Sequence, residues 1–350
     1  MGWSITYSVM FLLTGVGVFL VGIVKFSNIL QSGGTERVRG VFQKMGNNRF
    51  VGFGVGAAAT TVIQSSTATT VIIVSLVNAG VMTLGQSTAV IFGANVGTSV
   101  SNMLLSLSAF RIKYFFMALV FFGASIKIFT TKKRLNKIAD VLIAFGVIFV
   151  GLELMNLAFR DGFLGGEYLR DGFESMLTAA SFPLLLILIA FVLTAVIQSS
   201  TAATAIFIAM AGAGLLDFIS IIYLVFGMRL GTTVTALIAA IPASRCAKRA
   251  AIMHLLFNLL GTLIFLPIVW PLQHHIAPFF ENLVSDPIWQ ITVFGLALNL
   301  ATAAILLAFI KPTNKLVYLI IPRREGVPCH EPITEEEIHE ETFQGFSDTF

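Results

Sequence analysis

The sequence predicts an all-α membrane protein made of two inverted repeats, each with a re-entrant helical hairpin and broken transmembrane helices. Two observations lead to this fold class: a very apolar composition, and a pair of polar motifs that recurs at a constant offset. Hydrophobic residues make up 56% of the chain and charged residues only 11%. The surface of a soluble protein carries about 25–35% charged residues. We therefore expect a multi-pass protein of the cell membrane, surrounded by lipid.

Seven apolar runs approach the length of about 20 residues that a helix needs to cross the hydrocarbon core. The predicted spans are Tyr7–Leu30, Leu84–Leu107, Tyr114–Phe129, Ile138–Phe159, Phe218–Ile241, Ala247–Trp270 and Trp289–Ile310. Two further apolar stretches, at about 50–79 and 182–212, are interrupted at their middles by polar clusters. Each interruption predicts a re-entrant hairpin, because broken backbone at membrane depth must be buried in protein or line a cavity.

The basic residues fit this topology better than they fit a nucleic-acid partner, although the net charge is +4. They cluster in short segments between the apolar runs, as cytoplasmic loops do. With seven spans and two hairpins, the four main clusters fall on one side, which predicts a cytoplasmic location for them and an outside N-terminus. The acidic segment at 323–350 is predicted to be a cytoplasmic tail.

An internal duplication divides the chain. Residues 60–70 read T-T-V-I-Q-S-S-T-A-T-T and residues 194–204 read T-A-V-I-Q-S-S-T-A-A-T, so residue 60 matches residue 194 at an offset of 134. At the same offset, G-A-N-V-G-T-S-V-S from residue 93 matches G-M-R-L-G-T-T-V-T from residue 227. The predicted units are a first repeat at 1–136, a second at 137–270, and an extra C-terminal transmembrane helix at 287–312. Three crossings per copy invert the second copy, which predicts a substrate site near the midplane between the repeats.

The Q-S-S-T motifs place four consecutive polar residues inside apolar runs, which is costly unless the groups find partners. If each motif marks the break of a hairpin, the next half-helix begins there, and its free N–H groups and positive dipole end favour an anion. The candidate substrate residues in these motifs are Gln64, Ser65, Ser66, Thr67, Gln198, Ser199, Ser200 and Thr201. The alternative is that the hydroxyls only bond between packed helices.

The second pair of motifs places two glycines four residues apart, with hydroxyl residues after them. G-x-x-x-G alone is a common helix-packing signal. The hydroxyl residues favour instead an unwound stretch that lines the cavity and binds a cation. The sodium candidates from both motifs are Gln64, Ser66, Thr98, Ser99, Gln198, Ser200, Thr232 and Thr233. Asn95 and Arg229, which hold the same position in the two copies, complete the substrate candidates.

The paired Q-S-S-T motifs, GANVGTSVSN, GTTVTALIAA and the later HLLFNLLGTLIFLP (254–267) resemble the type II sodium–phosphate cotransporter family of bacterial-type symporters. The resemblance covers about residues 10–270. It implies two re-entrant hairpins and symport of inorganic phosphate with Na⁺, without an organic cofactor. It also implies that Gln64–Thr67 and Gln198–Thr201 form the substrate and sodium site.

Arg229 departs from the family pattern, which usually has asparagine there. A charge at membrane depth costs about 2.5–3.5 kcal/mol on insertion scales and usually has a function. We expect Arg229 to face the cavity, where it either holds the anion or replaces one Na⁺ with a fixed charge. Pairing with Glu153 is the structural alternative. His254 and Asn258, one turn apart, are expected to satisfy each other or a neighbouring carbonyl.

Three other functions stay open at this point. A carrier of sulfate, arsenate or a dicarboxylate would use the same helix termini, and the Arg229 change also leaves open an altered ion coupling. An anion channel is compatible with inverted repeats. A membrane enzyme is disfavoured, because no His, Asp or Glu cluster has ligand spacing. Homodimerisation is also left open.

Overall fold

The computed structural model describes residues 2–44, 48–79, 81–160, 166–179 and 182–322, so the predicted acidic tail lies outside the described residues. The described chain is almost entirely helical, with a 3₁₀ helix at Leu105–Ala109. The α-helices are α1 (Gly2–Lys44), α2 (Arg49–Ile63), α3 (Ser66–Asn78), α4 (Leu84–Met103), α5 (Lys113–Phe129), α6 (Lys133–Ala158), α7 (Gly166–Ala179), α8 (Pro183–Ile197), α9 (Ser200–Gly212), α10 (Phe218–Ala240), α11 (Arg245–Leu283), α12 (Pro287–Ala308) and α13 (Ile310–Ile320).

Six of the seven predicted spans are helices long and apolar enough to cross a membrane. They are α1, α4 with the 3₁₀ helix, α6, α10, α11 and α12. The seventh forms α5, which has 17 residues and is therefore about 25 Å long, somewhat shorter than a hydrocarbon core of about 30 Å. Its side chains Phe115, Phe121 and Phe129 are 75%, 70% and 85% exposed, as expected of a surface that faces lipid. The all-helical, multi-pass membrane fold is thus confirmed.

Several helix boundaries differ from the prediction. Helix α1 continues to Lys44 and so includes Arg37 and Arg39, which lie beyond the predicted span Tyr7–Leu30. Helix α11 has 39 residues and is about 58 Å long, much longer than the span predicted inside it. Helices α7 and α13 were not predicted at all. Hydropathy marks only the part of a helix that is apolar, and it does not detect where a helix continues through polar sequence.

Each predicted hairpin is a pair of short helices, α2 with α3 and α8 with α9. The members have 13 to 15 residues, about 20–23 Å, which is too short for a single helix to cross the core. In both pairs the break falls inside the Q-S-S-T motif, between Ile63 and Ser66 and between Ile197 and Ser200.

The two copies repeat the same close contact between helices. A Cβ atom on Gly93 of α4 would lie 1.9 Å from the carbonyl oxygen of Phe53 on α2. A Cβ atom on Gly227 of α10 would lie 2.2 Å from the carbonyl oxygen of Ile187 on α8. Both residues of the second contact are offset by 134 from those of the first, since 93 matches 227 and 53 matches 187. Glycine is required at both places because the backbones of the two helices nearly touch.

The G-x-x-x-G segments are not unwound, and this prediction is wrong. Helices α4 and α10 run without a break through both motifs. The second glycine of each motif also packs closely: a Cβ atom on Gly97 would lie 2.4 Å from the oxygen of Ala57, and one on Gly231 would lie 2.7 Å from the oxygen of Phe191. The glycines therefore serve helix packing, and the breaks of each copy lie at its Q-S-S-T motif.

Helices α1 and α6 join the two copies through a second glycine contact. A Cβ atom on Gly22 would lie 2.8 Å from the backbone nitrogen of Ile148, and one on Gly151 would lie 2.5 Å from that of Phe19. Gly22 and Gly151 are equivalent positions, at an offset of 129. The inverted orientation of the copies remains a prediction from the number of crossings.

The helix predicted as an extra C-terminal span lies inside the molecule. Helix α12 packs against α4, α9, α10 and α11. Its residues Leu298 and Phe294 belong to the apolar core around α9 and α10, while Ala303 and Leu306 belong to a second core around α3, α4 and α11. It thus contributes to the part of the protein where polar side chains of both copies meet.

Candidate functional site

The two glutamines at the breaks share an unusual backbone conformation. Gln64 has φ 57° and Gln198 has φ 55°, and they are the non-glycine residues with positive φ in the described part of the chain. Each ends its helix, donating its backbone N–H to the oxygen of Thr60 at 2.8 Å or of Thr194 at 2.9 Å. A left-handed residue without glycine is strained by about 1–3 kcal/mol, and such strain is often found at functional sites.

The next residue of each motif caps the helix that follows. The Ser65 hydroxyl accepts a hydrogen bond from the N–H of Ala68 at 3.1 Å, and the Ser199 hydroxyl accepts one from the N–H of Ala202 at 3.2 Å. Each cap satisfies one of the N–H groups that have no partner inside a helix's first turn. The remaining N–H groups of the first turns of α3 and α9, with the positive ends of the helix dipoles, are available to an anion.

One cavity of about 250 Å³ brings the two breaks together, and we call it the hairpin-tip cavity. Its wall contains motif residues from both copies, namely Gln64, Ser65, Ser66, Gln198, Ser199, Ser200 and Thr201. Thr67 lies in the first turn of α3, but its side chain is outside the described part of the structure. None of the described residues around this cavity is charged. An ion held here would therefore be bound by dipoles, amides and hydroxyls.

Helix α1 supplies a third side of the hairpin-tip cavity, which the repeated motifs did not indicate. Ser27, Asn28 and Gln31 line it. The Gln31 amide donates to the Ser27 hydroxyl at 2.7 Å, and that hydroxyl donates to the oxygen of Ile63 at 3.0 Å, at the end of α2. The sequence does contain a sign of this third side: three polar residues at positions i, i+1 and i+4 lie on one helical face of an otherwise apolar span.

A second, smaller cavity of about 60 Å³, which we call the arginine cavity, lies between α4, α9, α10, α11 and α12. Five more of the predicted site residues line it, namely Asn95, Thr98, Ser99, Arg229 and Thr232. Thr233 does not line it, and its buried hydroxyl donates to the oxygen of Leu230 at 2.7 Å. Ser200 lines both cavities. The predicted single site is thus two neighbouring cavities.

Asn95 lies in a network of amides. Its Oδ1 atom is 3.1 Å from Nε2 of His254 and accepts a hydrogen bond from Nδ2 of Asn258 at 3.3 Å. Asn258 also donates to the oxygen of His254 at 3.0 Å, in agreement with the expected mutual contact of these two residues. Asn299 of α12 donates to the hydroxyl of Ser99 at 2.6 Å and to the oxygen of Asn95 at 3.3 Å. Asn299 was missed because its helix has no counterpart in the repeat.

Arg229 is buried, with 7% of its surface exposed, and it borders the arginine cavity. Its Nη2 atom donates to the hydroxyl of Thr302 at 3.2 Å, and its guanidinium lies 5.7 Å from the ring centre of Phe257. Its Nε and Nη1 atoms have no hydrogen-bond partner among the described residues. The alternative of an Arg229–Glu153 pair is wrong, because Glu153 pairs with Lys113 at 2.7 Å.

The fold and these cavities define a class of protein. Two broken helix pairs whose midpoints meet at a polar cavity inside a helical membrane protein form the architecture of secondary transporters. A family model agrees: the chain belongs to the Na⁺/Pi-cotransporter family, whose model matches residues 18–157 and 166–268. The resemblance seen in the motifs is thereby confirmed, and the family is one of transporters, not of enzymes.

Individual relatives extend this assignment. The chain is 25% identical to the uncharacterized protein YqeW of Bacillus subtilis over 92% of its own length and 98% of that protein. It is 27% identical to the putative inorganic phosphate export protein YjbB of Escherichia coli over 81% of its own length, but it spans only 50% of YjbB. It is 35% identical to the mouse sodium-dependent phosphate transport protein 2C over 39% of its own length and 26% of that protein. No solved structure matches the chain.

Proposed function

We propose that this protein is a secondary carrier of inorganic phosphate, coupled to Na⁺, which holds the anion in the hairpin-tip cavity. The observation that carries the proposal is that the N-termini of α3 and α9, with their Q-S-S-T residues, border one cavity. Each helix N-terminus carries the equivalent of roughly half a positive charge. Two of them, with the hydroxyls of Ser66 and Ser200, favour a small oxyanion without a fixed counter-charge that would hinder its release.

The same breaks offer a place for sodium. At each break a helix C-terminus meets a helix N-terminus, so carbonyl oxygens and N–H groups lie at the same depth. The last carbonyl oxygens of α2 and α8 have no partners inside their helices, and the negative dipole ends favour a cation. We therefore place Na⁺ near Gln64, Ser66, Gln198 and Ser200. The other sodium candidates lie beside Arg229 or are buried next to it, where the fixed charge repels a cation.

The relatives support phosphate more strongly than they support a direction of transport. The printed name of the mouse relative includes sodium and phosphate, and that of YjbB includes export of inorganic phosphate. A carrier runs in the direction that its gradients impose, so one coupled site serves both directions. The proposal is therefore symport, with net flux set by the Na⁺ and phosphate gradients.

The test is transport of radiolabelled phosphate by the purified full chain in proteoliposomes. Inward gradients of Na⁺, K⁺ or protons are compared, with sulfate and arsenate as competitors. We expect only the Na⁺ gradient to drive phosphate above its external concentration, and arsenate to compete better than sulfate. Equilibration without accumulation would identify a channel, and equal accumulation with K⁺ would contradict sodium coupling.

A further inference from the structure

Arg229 is not explained by the hairpin-tip cavity, which it does not line. A buried guanidinium is normally accompanied by a carboxylate or another anion, because isolated charge is costly in a low-dielectric environment. Within the described chain, no acidic residue lines the cavity that Arg229 borders. Its protein contacts are one hydroxyl, of Thr302, and one aromatic face, of Phe257.

The free part of the guanidinium has the geometry for an oxyanion. Nε and Nη1 both lack a hydrogen-bond partner among the described residues. Each shares an edge of the planar group with Nη2, which has two N–H groups and donates one of them to Thr302. The edge that Thr302 leaves open, formed by Nη2 with one of these two nitrogens, can bind two oxygens of a phosphate or carboxylate side by side. The guanidinium is held in place at Nη2 by Thr302 and by the close approach of α11, where a Cβ on Gly261 would lie 3.0 Å from Nη2.

The charge of Arg229 favours an anion over a cation, although the amide oxygens of Asn102 and Asn299, which also line the cavity, lack hydrogen-bond partners among the described residues. The Oδ1 atom of Asn95, a natural ligand for a cation, already faces His254 and Asn258. The hydroxyl of Ser99 already accepts from Asn299. A fixed positive charge in so small a volume also opposes a second positive ion.

The two cavities share a wall. Ser200, the first residue of α9, lines both of them, and the next turn of α9 reaches the arginine cavity through Thr204. The Thr204 hydroxyl donates to the oxygen of Ser200 at 2.8 Å, which fixes this turn.

We propose that the arginine cavity is a second binding site for a tetrahedral oxyanion of the phosphate type, in series with the hairpin-tip cavity. The anion accepts hydrogen bonds from the N–H groups of Arg229 that lack partners, and it reaches this position past Ser200. The inference rests on the proposed function for the identity of the anion. The arginine cavity is then a second binding position on the transport path, where a fixed charge, and not helix dipoles alone, holds the anion.

The experiment counts phosphate ions bound to the purified full chain in detergent, by equilibrium dialysis with labelled inorganic phosphate and saturating Na⁺. We expect two phosphates per wild-type chain and one per Arg229→Gln chain, with the remaining dissociation constant changed by less than about threefold. Arg229→Lys keeps the charge but loses the fork, so it retains two phosphates with the second bound about tenfold more weakly. Arg134→Gln, at an exposed position, is the matched control and keeps both.

A second variant protects the test if Arg229→Gln does not fold. Asn299→Asp places a carboxylate in the wall of the same cavity and is also expected to leave one phosphate bound. Two phosphates with wild-type affinities in either folded variant, or a single phosphate in the wild type that is unaffected by Arg229→Gln, would overturn the second site and leave the proposed function standing. A steeper dependence of phosphate uptake on Na⁺ (a larger Hill coefficient) in Arg229→Gln, with unchanged phosphate binding, would show that the arginine replaces a cation. That result would also overturn the second site. No phosphate binding in the wild type would overturn the proposed function itself.

Discussion

At the scale of single residues, two glutamines determine how each broken helix pair turns. Gln64 and Gln198 adopt the left-handed conformation that most helices reserve for glycine at their C-terminal ends. Their side-chain amides do more than stabilise that turn, because both side chains also border the hairpin-tip cavity. The persistence of a strained residue in both copies indicates that the side chain, and not only the turn, is needed.

Substitutions at Gln64 separate the turn from the side chain. Gln64→Gly relieves the strain but makes the unfolded chain more flexible, so the melting temperature in detergent should stay within a few degrees of wild type. Gln64→Val places a β-branched residue at positive φ and should be less stable by about 1–3 kcal/mol. Phosphate uptake should fall in both variants. A glycine variant less stable than the valine variant would contradict the structural role assigned to this backbone.

The first-turn hydroxyls should contribute directly to phosphate affinity. A hydrogen bond to a charged group contributes about 1.5–3 kcal/mol, so Ser66→Ala and Ser200→Ala should each raise the KM for phosphate by roughly tenfold or more. Ser75→Ala is the matched control, because Ser75 lies later on α3 and its exposed hydroxyl donates to the oxygen of Val71. Uptake kinetics with wild-type KM in both break variants would argue against an anion at the ends of α3 and α9.

At the scale of elements, close helix packing holds each broken pair in place. Helix α2 rests on α4, and α8 rests on α10, with glycines at the crossings. The hairpins themselves are short and apolar, so an adjacent continuous helix fixes their depth. This explains why the two motifs recur together. The Q-S-S-T motif supplies the break, and the G-x-x-x-G motif supplies the surface against which the broken pair packs.

A methyl group at this crossing should separate the helices. Gly93→Ala would place its Cβ 1.9 Å from the oxygen of Phe53, and such overpacking typically costs about 1–3 kcal/mol. Gly85→Ala on the same helix is the control, since its Cβ would meet nothing nearer than 3.9 Å. The melting temperature should fall for Gly93→Ala and for its equivalent Gly227→Ala. Equal stability of the Gly93 and Gly85 variants would show that the backbones do not approach as closely as described.

At the scale of the whole molecule, the sequence predicted the breaks well and their surroundings less well. Four polar residues in an apolar run are a strong signal, and their recurrence with fixed spacing located both breaks within the motif itself. The ends of α1 and α11 were not predicted, because hydropathy detects the apolar part of a helix and not the polar part that continues it. The G-x-x-x-G motif was misread because its local pattern fits both helix packing and a cation site.

The second cavity could not be predicted because it depends on packing between distant parts of the chain. Asn95 and Arg229 are equivalent in the two copies, but their partners are not: His254 and Asn258 contact the first, and Thr302 the second. Helix α12 supplies Asn299 and Thr302 without a counterpart in the repeat. The duplication therefore produced one cavity lined by the same motif from both copies and, beside it, a cavity whose contacts differ between the copies.

The central claim is that the N-termini of α3 and α9 hold one oxyanion between them. The most direct measurement is a crystal structure of the full chain with Na⁺ and arsenate, a phosphate analogue whose arsenic atom is located by anomalous scattering. An anomalous peak in the hairpin-tip cavity, within hydrogen-bonding distance of Ser66 and Ser200, is the expected result. Absence of a peak there, or a peak at Arg229 alone, would contradict the account.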